Sequence, residues 1–527
     1  MALAVRRLCT ARVLRVNPAP DGLWGAPLDT SMDGARLQTA AAPVLRGTDE
    51  VRFGRKYMGL AVLPEWAGAA IGRLVERTDK RALRYDYLRM VDALRSTGHV
   101  TPRGKGGGRE ARRQRREDRA AQRGGKSRAA AAEEARISVP RALAGERVQM
   151  VVPGERPPPR SLVRPGALLR PHTVEYGPGE AAAFVAAFAP GTYGVLLNVF
   201  SEAARRLPGL RPRAVLDFGC GPGTALWAAQ AAWGPAAVAR YAGIDVSEAM
   251  IRCAQDLIAA MPAGRAPAAA EFLRYLAPDL PGARSDLVVA AFALSELPSD
   301  AARRTTVETL WGYAADTLVL VDRGTPRAAQ MVSEARDQLL ALGGCHTVAP
   351  FPSDGPDPTA GTPAWIHFSQ RTQRPQFTMR TKHSKSNIED VGYSYVVMRR
   401  GPRPLPPDDD PPPPGQRRKS PERLAREAYD WPRIVHPPMK RKGHVVADVC
   451  TREGRIERWT FTKSHCRQAY RDARKASWGD LFPHAPMSVV LRPYYEPLGG
   501  PVAGAESDDV GGFGFDDDDG PSKRDRS

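Results

Sequence analysis

The sequence predicts a doubly wound, Rossmann-like α/β domain, with a basic helical N-terminal region and a small β-rich C-terminal unit. The first observation is a short apolar run, AVLDF, that leads into a glycine loop and then into a helix-like stretch, over residues 214–229. This is the strand, loop and helix arrangement of a cofactor-binding fold. The second observation is that further apolar runs, each suited to one buried strand, follow at residues 241–245, 286–298 and 317–326.

The composition limits the class of protein. Hydrophobic residues make up 42% of the 527 residues, enough for a sizeable core, while 49 prolines and 49 glycines indicate linkers. The net charge of +19 favours a polyanionic partner, although a solvated basic tail supplies part of it. The 6 cysteines lack CxxC spacing, which indicates a reducing compartment. Because no run of about 18 apolar residues occurs, no membrane span is predicted.

The region before the first strand is rich in arginine. The first twenty residues contain no acid and place apolar residues between arginines at roughly helical spacing, as in an organelle transit peptide. The alternative is a disordered basic terminus. Residues 50–98 show helical periodicity. Residues 101–128, rich in arginine and glycine, form either a solvated arm or an arm that folds on RNA.

The glycine loop is the most informative motif. Its pattern G-x-G-x-G comes from three residues: Gly219, Gly221 and Gly223. Glycine lets the backbone turn sharply and approach a ligand closely. Asp245 ends the second predicted strand 22 positions after Gly223. This is near the spacing at which a carboxylate binds ribose hydroxyls in dinucleotide folds.

The residues around the loop favour S-adenosylmethionine over NAD. Thr224 stands where the last glycine of the dinucleotide motif would be. Asp217, near the end of the first strand, would repel a pyrophosphate but accept the cationic end of S-adenosylmethionine. We therefore predict a class I methyltransferase domain with five cofactor-binding residues: Asp217, Gly219, Gly221, Gly223 and Asp245. The alternative is a fold that keeps the loop without the ligand.

No catalytic constellation accompanies the cofactor loop. The carboxyl ends of the strands line the cleft in such folds, which makes Ser295 and Glu296 the catalytic candidates. Glu296 is either a base or a hydrogen-bonded structural carboxylate. The Asn/Asp-Pro-Pro-aromatic stretch typical of base-amino methylation is absent from this position. Cys220, inside the loop, is the one candidate for the nucleophile of cytosine C5 methylation.

Several blocks resemble a known family. The stretches LDFGCGPGTALWAA, FALSELP, LVLVDRGTP, EARDQLL, WIHFSQR, YSYVVMRR, KRKGHVVADVC and ARKASWGDLFP occur in that order between residues 176 and 483. Together they resemble the mitochondrial small-ribosomal-subunit methyltransferase-like family, of the methyltransferase-like protein 17 type. The resemblance implies a protein of the mitochondrial matrix that binds small-subunit ribosomal RNA in the pre-ribosomal particle during assembly.

The same resemblance implies an iron–sulfur cluster on four cysteines, and this chain departs from that pattern. Three of the family's ligand positions hold Phe351, Asp357 and Ile366, so that only Cys450 is retained. A cluster normally needs four thiolates. We therefore predict that the protein folds without a cluster or other metal and that Cys450 is a small buried hydrophobe. Two further cysteines could substitute but lack the motif's spacing: Cys345 and Cys466.

The rest of the cluster motif is retained in this chain. Its members are Asp354, Gly355, Trp365 and His367. Their presence predicts that the local fold persists without the metal. On this interpretation His367 is a hydrogen-bonded structural histidine rather than a ligand.

Seven segments follow from these motifs. They are a transit peptide (1–40), a basic helical or disordered region (41–170), a methyltransferase-like domain (171–345), a family-specific extension (346–400), a disordered proline-rich insertion (401–428), a β-rich unit (429–495) and an acidic disordered tail (496–527). In the β-rich unit, strands are predicted from residues 444, 455 and 487, with TREG as the hairpin turn between the first two.

Three functions remain open at this stage. The first is an assembly factor that binds ribosomal RNA through a methyltransferase-like fold. The second is an active S-adenosylmethionine-dependent ribosomal RNA methyltransferase. The third is a small-molecule methyltransferase, which leaves the positive charge and the C-terminal blocks unexplained.

Overall fold

The computed structural model describes residues 48–96, 176–276, 284–362, 364–405, 407, 419–486 and 490. Outside these residues lie the predicted transit peptide, the arginine-rich segment 101–128, residues 406 and 408–418 of the proline-rich insertion, the acidic tail and most of the strand predicted from residue 487. The helices are α1 (Thr48–Phe53), α2 (Glu65–Glu76), α3 (Lys80–Ser96), α4 (Pro178–Arg206), α5 (Thr224–Trp233), α6 (Glu248–Ala259), α7 (Asp300–Tyr313), α8 (Pro326–Leu342), α9 (Gln376–Lys382), α10 (Pro421–Glu427) and α11 (Arg467–Lys475).

The strands form two sheets. The first contains β1 (Ala214–Phe218), β2 (Arg240–Ile244), β3 (Ala269–Leu273), β4 (Ser285–Ala291), β5 (Ala314–Arg323), β6 (Cys345–Ala349), β7 (Phe368–Gln373) and β8 (Ile388–Arg400). The second contains β9 (Arg433–Ile434), β10 (Met439–Lys440), β11 (His444–Cys450) and β12 (Ile456–Thr462).

The first sheet has the order β3-β2-β1-β4-β5-β8-β6, with β7 also paired to β8. Strands β1 to β5 are parallel, whereas β8 runs antiparallel to β5, β6 and β7. The chain order reverses between β1 and β4, which is the switch point where ligands bind in doubly wound sheets. The antiparallel β8, inserted between β5 and β6, distinguishes this sheet from the six-stranded dinucleotide-binding order.

Alternation along the strands explains the two helical layers. Val215 packs toward α4, α5 and α6, and its neighbour Leu216 packs toward α7 and α8. Successive strand residues point to opposite faces, so both faces of the parallel strands are apolar and both need covering. The predicted doubly wound α/β fold is confirmed.

Helix α4 is the central helix of the first layer. Among the described helices it alone is long and apolar enough to cross a membrane, but 72% of its apolar window is buried inside the protein. Pro190 lies within it and has no N–H for the carbonyl of Ala186. The hydroxyl of Thr378, on α9, donates to that carbonyl at 2.7 Å instead. This side chain replaces the missing helical bond and ties α9 to the core.

The C-terminal unit is built on the predicted hairpin. Strands β11 and β12 pair antiparallel from His444 opposite Thr462 to Cys450 opposite Ile456, which confirms TREG as the turn. Helix α11 packs Ala469 and Ala473 against the hairpin in a small separate core.

Two segment boundaries differ from those predicted. The sheet does not end at residue 345, because β6, β7 and β8 of the predicted extension complete it. The disordered insertion was also predicted too long, since α10 occupies residues 421–427. Ser420 caps this helix by accepting from the N–H of Arg423, and Leu424 is buried against Trp431. Because the segment is rich in proline, it was predicted to be disordered, and neither this helix cap nor its apolar contact was predicted.

Candidate functional site

The glycine loop lies at the switch point between β1 and β4. All three of its glycines have positive φ: Gly219 (67°), Gly221 (49°) and Gly223 (84°). Two of the loop's N–H groups, those of Gly219 and Cys220, donate to the carbonyl of Ile244, at the end of β2. A side chain at Gly219 would place its Cβ 2.7 Å from the Cβ of Ala293, which follows β4. The loop is therefore held between two strand ends in a conformation that needs glycine.

Asp245 links the loop to β2. Its Oδ2 accepts from the N–H of Gly221 and its Oδ1 from the N–H of Ser247, both at 2.9 Å. Burial raises the pKa of this carboxyl, although the two N–H groups oppose the shift. Each carboxylate oxygen keeps a second lone pair. Asp245 is thus positioned to accept from the ribose hydroxyls of a nucleoside, as its sequence position predicts.

Asp217 lies deeper, on β1, and is 2% exposed. Its Oδ2 accepts from the hydroxyl of Tyr241 at 2.8 Å. Burial raises the pKa of this carboxyl to about 7, with a further rise from the charge of Asp245 and a reduction from the Tyr241 hydrogen bond. A buried carboxyl of this kind gains from a cationic ligand. The loop and both carboxylates therefore fit S-adenosylmethionine.

The predicted catalytic candidates lie at the carboxyl end of β4 in the 3-10 turn Leu294–Glu296. The strand itself ends at Ala291, earlier than predicted, because Phe292 has φ 59° and turns the chain out of the sheet. The hydroxyl of Ser295 donates to Asp322 at 2.9 Å and accepts from Arg323 at 2.6 Å. These hydrogen bonds hold the Ser295 side chain against the end of β5.

Glu296 is the more exposed of the two candidates. Its side chain is 27% exposed and lies 3.4 Å from the guanidinium of Arg323. Burial raises its pKa to about 6, against the opposing effect of Arg323. A carboxyl with a pKa near the operating pH suits general acid–base work.

Cys220 does not suit the nucleophilic role considered from the sequence. Its side chain is 3% exposed, and burial together with the charges of Asp217 and Asp245 raises its pKa well above the ordinary value. The thiolate is the reactive form of cysteine. Its thiol is instead within weak hydrogen-bonding distance, 3.7 Å, of the carbonyl of Gly221.

Two cleft residues were missed by the sequence reasoning. Tyr176 precedes α4, its carbonyl accepts from the hydroxyl of Ser247, and its ring lies in the field of Glu296 and Asp245. Nothing in the local sequence predicts this contact, because 71 residues separate Tyr176 from Ser247. Arg323 was predictable, since it ends β5 at the edge that lines the cleft.

The positions of the family's cluster ligands are packed as a hydrophobic core. Phe351, Ile366 and Cys450 are 7%, 8% and 1% exposed and belong to the same apolar cluster. Asp357 accepts at 2.7 Å from the hydroxyl of Ser333. Burial and the charge of Asp357 raise the pKa of Cys450 to about 12, which disfavours the thiolate that a metal requires. These residues do not fit an iron–sulfur cluster.

The loop around these positions is held by buried Arg336. Its guanidinium lies 4.7 Å from the ring centroid of Phe351 and donates to the carbonyls of Ser353 and Gly355. The carboxylate of Asp354 accepts from the N–H of Thr347 at 2.8 Å. Arg336 and the retained Asp354 thus order the loop through hydrogen bonds, and Arg336 adds a cation–π contact with Phe351.

The other cysteines and His367 have separate contacts. The thiol of Cys345 donates to the carbonyl of Leu339, and Cys466 caps α11 by accepting from the N–H of Ala469. No group of three or more potential metal ligands occurs among the described residues. His367 is stacked on Trp365, and burial lowers its pKa although a hydrogen bond with the Trp365 backbone opposes the shift, as expected of a hydrogen-bonded structural histidine.

The C-terminal unit carries a strongly basic surface, which we call the basic face. Its exposed members are Lys440, Arg441, Lys442, Lys463, Arg467, Arg471, Arg474 and Lys475. None of them forms an ion pair within the ranges that the structure describes. Arg474 donates to the carbonyl of Arg441 at 3.2 Å, and its charge helps to lower the pKa of Lys440. The turn before β11 and helix α11 therefore form one surface.

Known proteins match the sequence over most of the α/β domain and the C-terminal unit. The model of the family "Mitochondrial small ribosomal subunit Rsm22" matches residues 178–483. The human ribosome assembly protein METTL17, mitochondrial, is 33% identical over 322 residues, which are 59% of this chain and 64% of the human protein. The *Saccharomyces cerevisiae* ribosome assembly protein RSM22, mitochondrial, is 51% identical over 55 residues, 10% of this chain and 9% of the yeast protein. The chain thus spans less than two thirds of these relatives.

Solved structures resemble the α/β domain only loosely. Magnesium protoporphyrin IX methyltransferase from Synechocystis PCC 6803, with bound SAM, is 18% identical with a TM-score of 0.27, over 43% of this chain and 88% of that one. The N-methyltransferase NodS from Bradyrhizobium japonicum WM9 is 14% identical with a TM-score of 0.26, over 41% and 88%. The fold assignment rests on the strand order.

Proposed function

Because this chain belongs to the Rsm22 family of the mitochondrial small ribosomal subunit, we propose that it acts in the mitochondrial matrix in the assembly of that subunit, by binding its ribosomal RNA. The relatives' names describe mitochondrial ribosome assembly, and the sequence matches the family over its folded core. The predicted transit peptide, which lies outside the described residues, agrees with this location.

The observation that carries the proposal is the basic face. Exposed cations without ion-pair partners repel one another, and burial together with the charge of nearby Arg474 lowers the pKa of Lys440. Such a surface is stabilised by a polyanion, which releases counterions when its phosphates bind. Two acids of the same unit, on α11 and β11, already have partners within the fold. Asp472 is buried and accepts from His484, and Asp448 is paired with Arg458.

Salt dependence tests this proposal. We expect the purified full chain to bind a small-subunit ribosomal RNA transcript in filter-binding assays. Raising salt from about 50 to 200 mM should weaken binding on the order of a hundredfold or more if about six phosphates are contacted. Arg471→Ala should weaken binding and reduce the salt slope by about one.

The matched control is Arg304→Ala, an exposed arginine on α7 at the opposite side of the sheet. It should leave the affinity and slope unchanged. A flat salt response, or equal effects of the two substitutions, would show that the basic face is only a solvated surface.

We further propose that the α/β domain binds S-adenosylmethionine through Asp217, the glycine loop and Asp245. The cofactor would supply an electrophilic methyl group. In this proposal Asp245 holds the ribose, Asp217 balances the cationic end, and the loop lets the backbone approach the ligand. Binding of this kind can serve an assembly role without methyl transfer.

The alternative, an active ribosomal RNA methyltransferase, is favoured by one observation. Glu296 lies at the carboxyl end of β4 with its pKa raised to about 6, where a base would stand. Transfer of radiolabelled methyl groups from S-adenosylmethionine to the transcript by the wild type, and its loss in Glu296→Gln, would establish this function. No labelling would leave the binding role as the function of the site.

A further inference from the structure

An aromatic cluster joins the α/β domain to the C-terminal unit. The rings of Trp365 and His367 are stacked, with centroids 5.2 Å apart and an angle of 21° between their planes. The ring of Trp478 meets the ring of His367 edge-on, with centroids 4.9 Å apart and an angle of 87° between their planes. Trp478 follows the end of α11 by three residues, which brings this cluster next to the unit that carries the basic face.

The cluster lies at the rim of the cofactor cleft. The indole N–H of Trp365 donates to the carbonyl of Gly324 at 3.1 Å. Gly324 directly follows β5, at the carboxyl edge of the sheet, and its neighbour Arg323 contacts both Ser295 and Glu296. Trp365 is therefore fixed at the edge where doubly wound sheets bind ligands.

The indole of Trp365 is not part of a packed core. It is partly exposed, and it belongs to none of the hydrophobic clusters of the described chain. His367 covers one face of the indole, and the carbonyl of Gly324 accepts from its N–H. No other ring among the described residues contacts the indole, and its second face has no aromatic partner there. Burial lowers the pKa of His367 to about 4, and the stack is therefore uncharged at neutral pH.

We propose that Trp365, supported by His367 and Trp478, stacks an unpaired nucleobase of the bound RNA at the rim of the cofactor cleft. Aromatic side chains bind single-stranded RNA in this way, because every base has a π-face whatever its sequence. The basic face supplies the phosphate contacts, and the uncharged stack supplies a contact that salt does not screen. This inference rests on the proposed function, that the chain binds RNA.

The test uses the full chain and fluorescein-labelled RNA of about 12 nucleotides, single-stranded or duplex, in anisotropy titrations. Trp365→Ala should weaken binding of the single strand at least about fivefold and leave duplex binding unchanged, since paired bases are not free to stack. Trp365→Phe should retain most of the affinity because an aromatic ring remains. Thermal unfolding of each variant shows whether it is folded.

The matched control is Tyr57→Ala. This side chain is 60% exposed and forms no ring contact among the described residues, so that its loss should change neither affinity. Ultraviolet crosslinking of the wild type, followed by mass spectrometry, should place a nucleotide on Trp365 and not on Tyr57.

The outcomes separate the two proposals. If the wild type binds RNA and folded Trp365→Ala binds the single strand as tightly, the stacking site is wrong while RNA binding stands. A crosslink that maps elsewhere has the same meaning if Trp365→Ala fails to fold. If the wild type binds neither RNA, both the proposed function and the stacking site are wrong.

Discussion

Two carboxylates near the glycine loop show how position within one sheet sets different chemistry. Asp217 is buried on β1 and accepts from the Tyr241 hydroxyl, whereas Asp245 follows β2 and accepts from two backbone N–H groups. Burial therefore raises the pKa of Asp217 to about 7. Burial also raises the pKa of Asp245, but the two N–H groups partly offset that rise. Each makes a separate prediction.

Substitution of Asp245 should weaken cofactor binding. We expect Asp245→Ala to reduce the affinity for S-adenosylmethionine by roughly 1–3 kcal/mol, because ribose hydroxyls lose a charged acceptor. Isothermal calorimetry measures the change, with Asp256→Ala, an exposed acid on α6, as the control. Native protein that gives no heat at millimolar ligand would rule out the site.

Asp217 should make stability depend on pH in the ligand-free protein. Its carboxyl has a pKa of about 7 in the folded state and an ordinary value of 3.8 otherwise. Between these values the folded state holds a proton that the unfolded state has lost, so that stability falls as pH rises from about 4 to 7 and is level above that.

The isosteric variant Asp217→Asn removes this dependence. The difference in unfolding free energy between this variant and the wild type should be roughly 2–4 kcal/mol more favourable to the variant at pH 8 than at pH 4. The reason is that about three pKa units separate the folded and unfolded states of Asp217. Thermal unfolding at both pH values measures the difference. An equal effect of the substitution at pH 4 and pH 8 would contradict a raised pKa for Asp217.

At the scale of elements, side-chain packing and buried hydrogen bonds hold the loop between β6 and β7. Phe351 and Ile366 lie in the main core, and Arg336 covers Phe351 while binding two carbonyls of the loop. Burial of two such side chains is worth about 1.5–3 kcal/mol each. That contribution stabilises the loop.

We therefore predict that the protein folds and works without an iron–sulfur cluster. Anaerobic purification should give a colourless, folded protein without stoichiometric iron, because three of the four ligand positions lack a thiolate. Cys450→Ser should remain folded and equally free of metal. A brown protein whose stoichiometric iron is lost in Cys450→Ser would overturn this prediction.

At the scale of the whole molecule, a buried ion cluster joins three distant parts of the chain. Glu202 on α4 lies 2.6 Å from Lys56, which precedes α2, and 2.5 Å from Arg433 on β9. The hydroxyl of Tyr395 on β8 donates to the same carboxylate. The two cations hold the pKa of Glu202 well below its usual range despite burial, and burial lowers the pKa of Lys56 to about 8.

Loss of this carboxylate should destabilise the molecule as a whole. Glu202→Ala leaves two buried cations uncompensated, for which we expect a cost of about 3–5 kcal/mol in the free energy of unfolding. Differential scanning calorimetry should show a Tm lower by roughly 10 °C. Glu248→Ala, which removes a 60% exposed carboxylate paired with Arg252, should change Tm little. Equal Tm values for the two variants would mean that the cluster does not hold the parts together.

Features that depend on neighbours along the chain could be predicted from the amino-acid sequence alone. The strand, loop and helix around Gly219 to Gly223, the carboxylate that follows β2 and the β11–β12 hairpin were predicted because periodicity, glycine and turn residues act over a few positions. The departure from the family's cysteine pattern was visible in the same way.

Contacts between residues far apart in the chain became visible only in the folded protein. The insertion of β8 between β5 and β6, the approach of Tyr176 to the cleft, the Lys56–Glu202–Arg433 cluster and the stacking of His367 on Trp365 beside Trp478 depend on how the layers pack. Local patterns do not encode such contacts, because each arises from apolar burial and charge pairing between segments whose separation along the chain leaves no periodic signal.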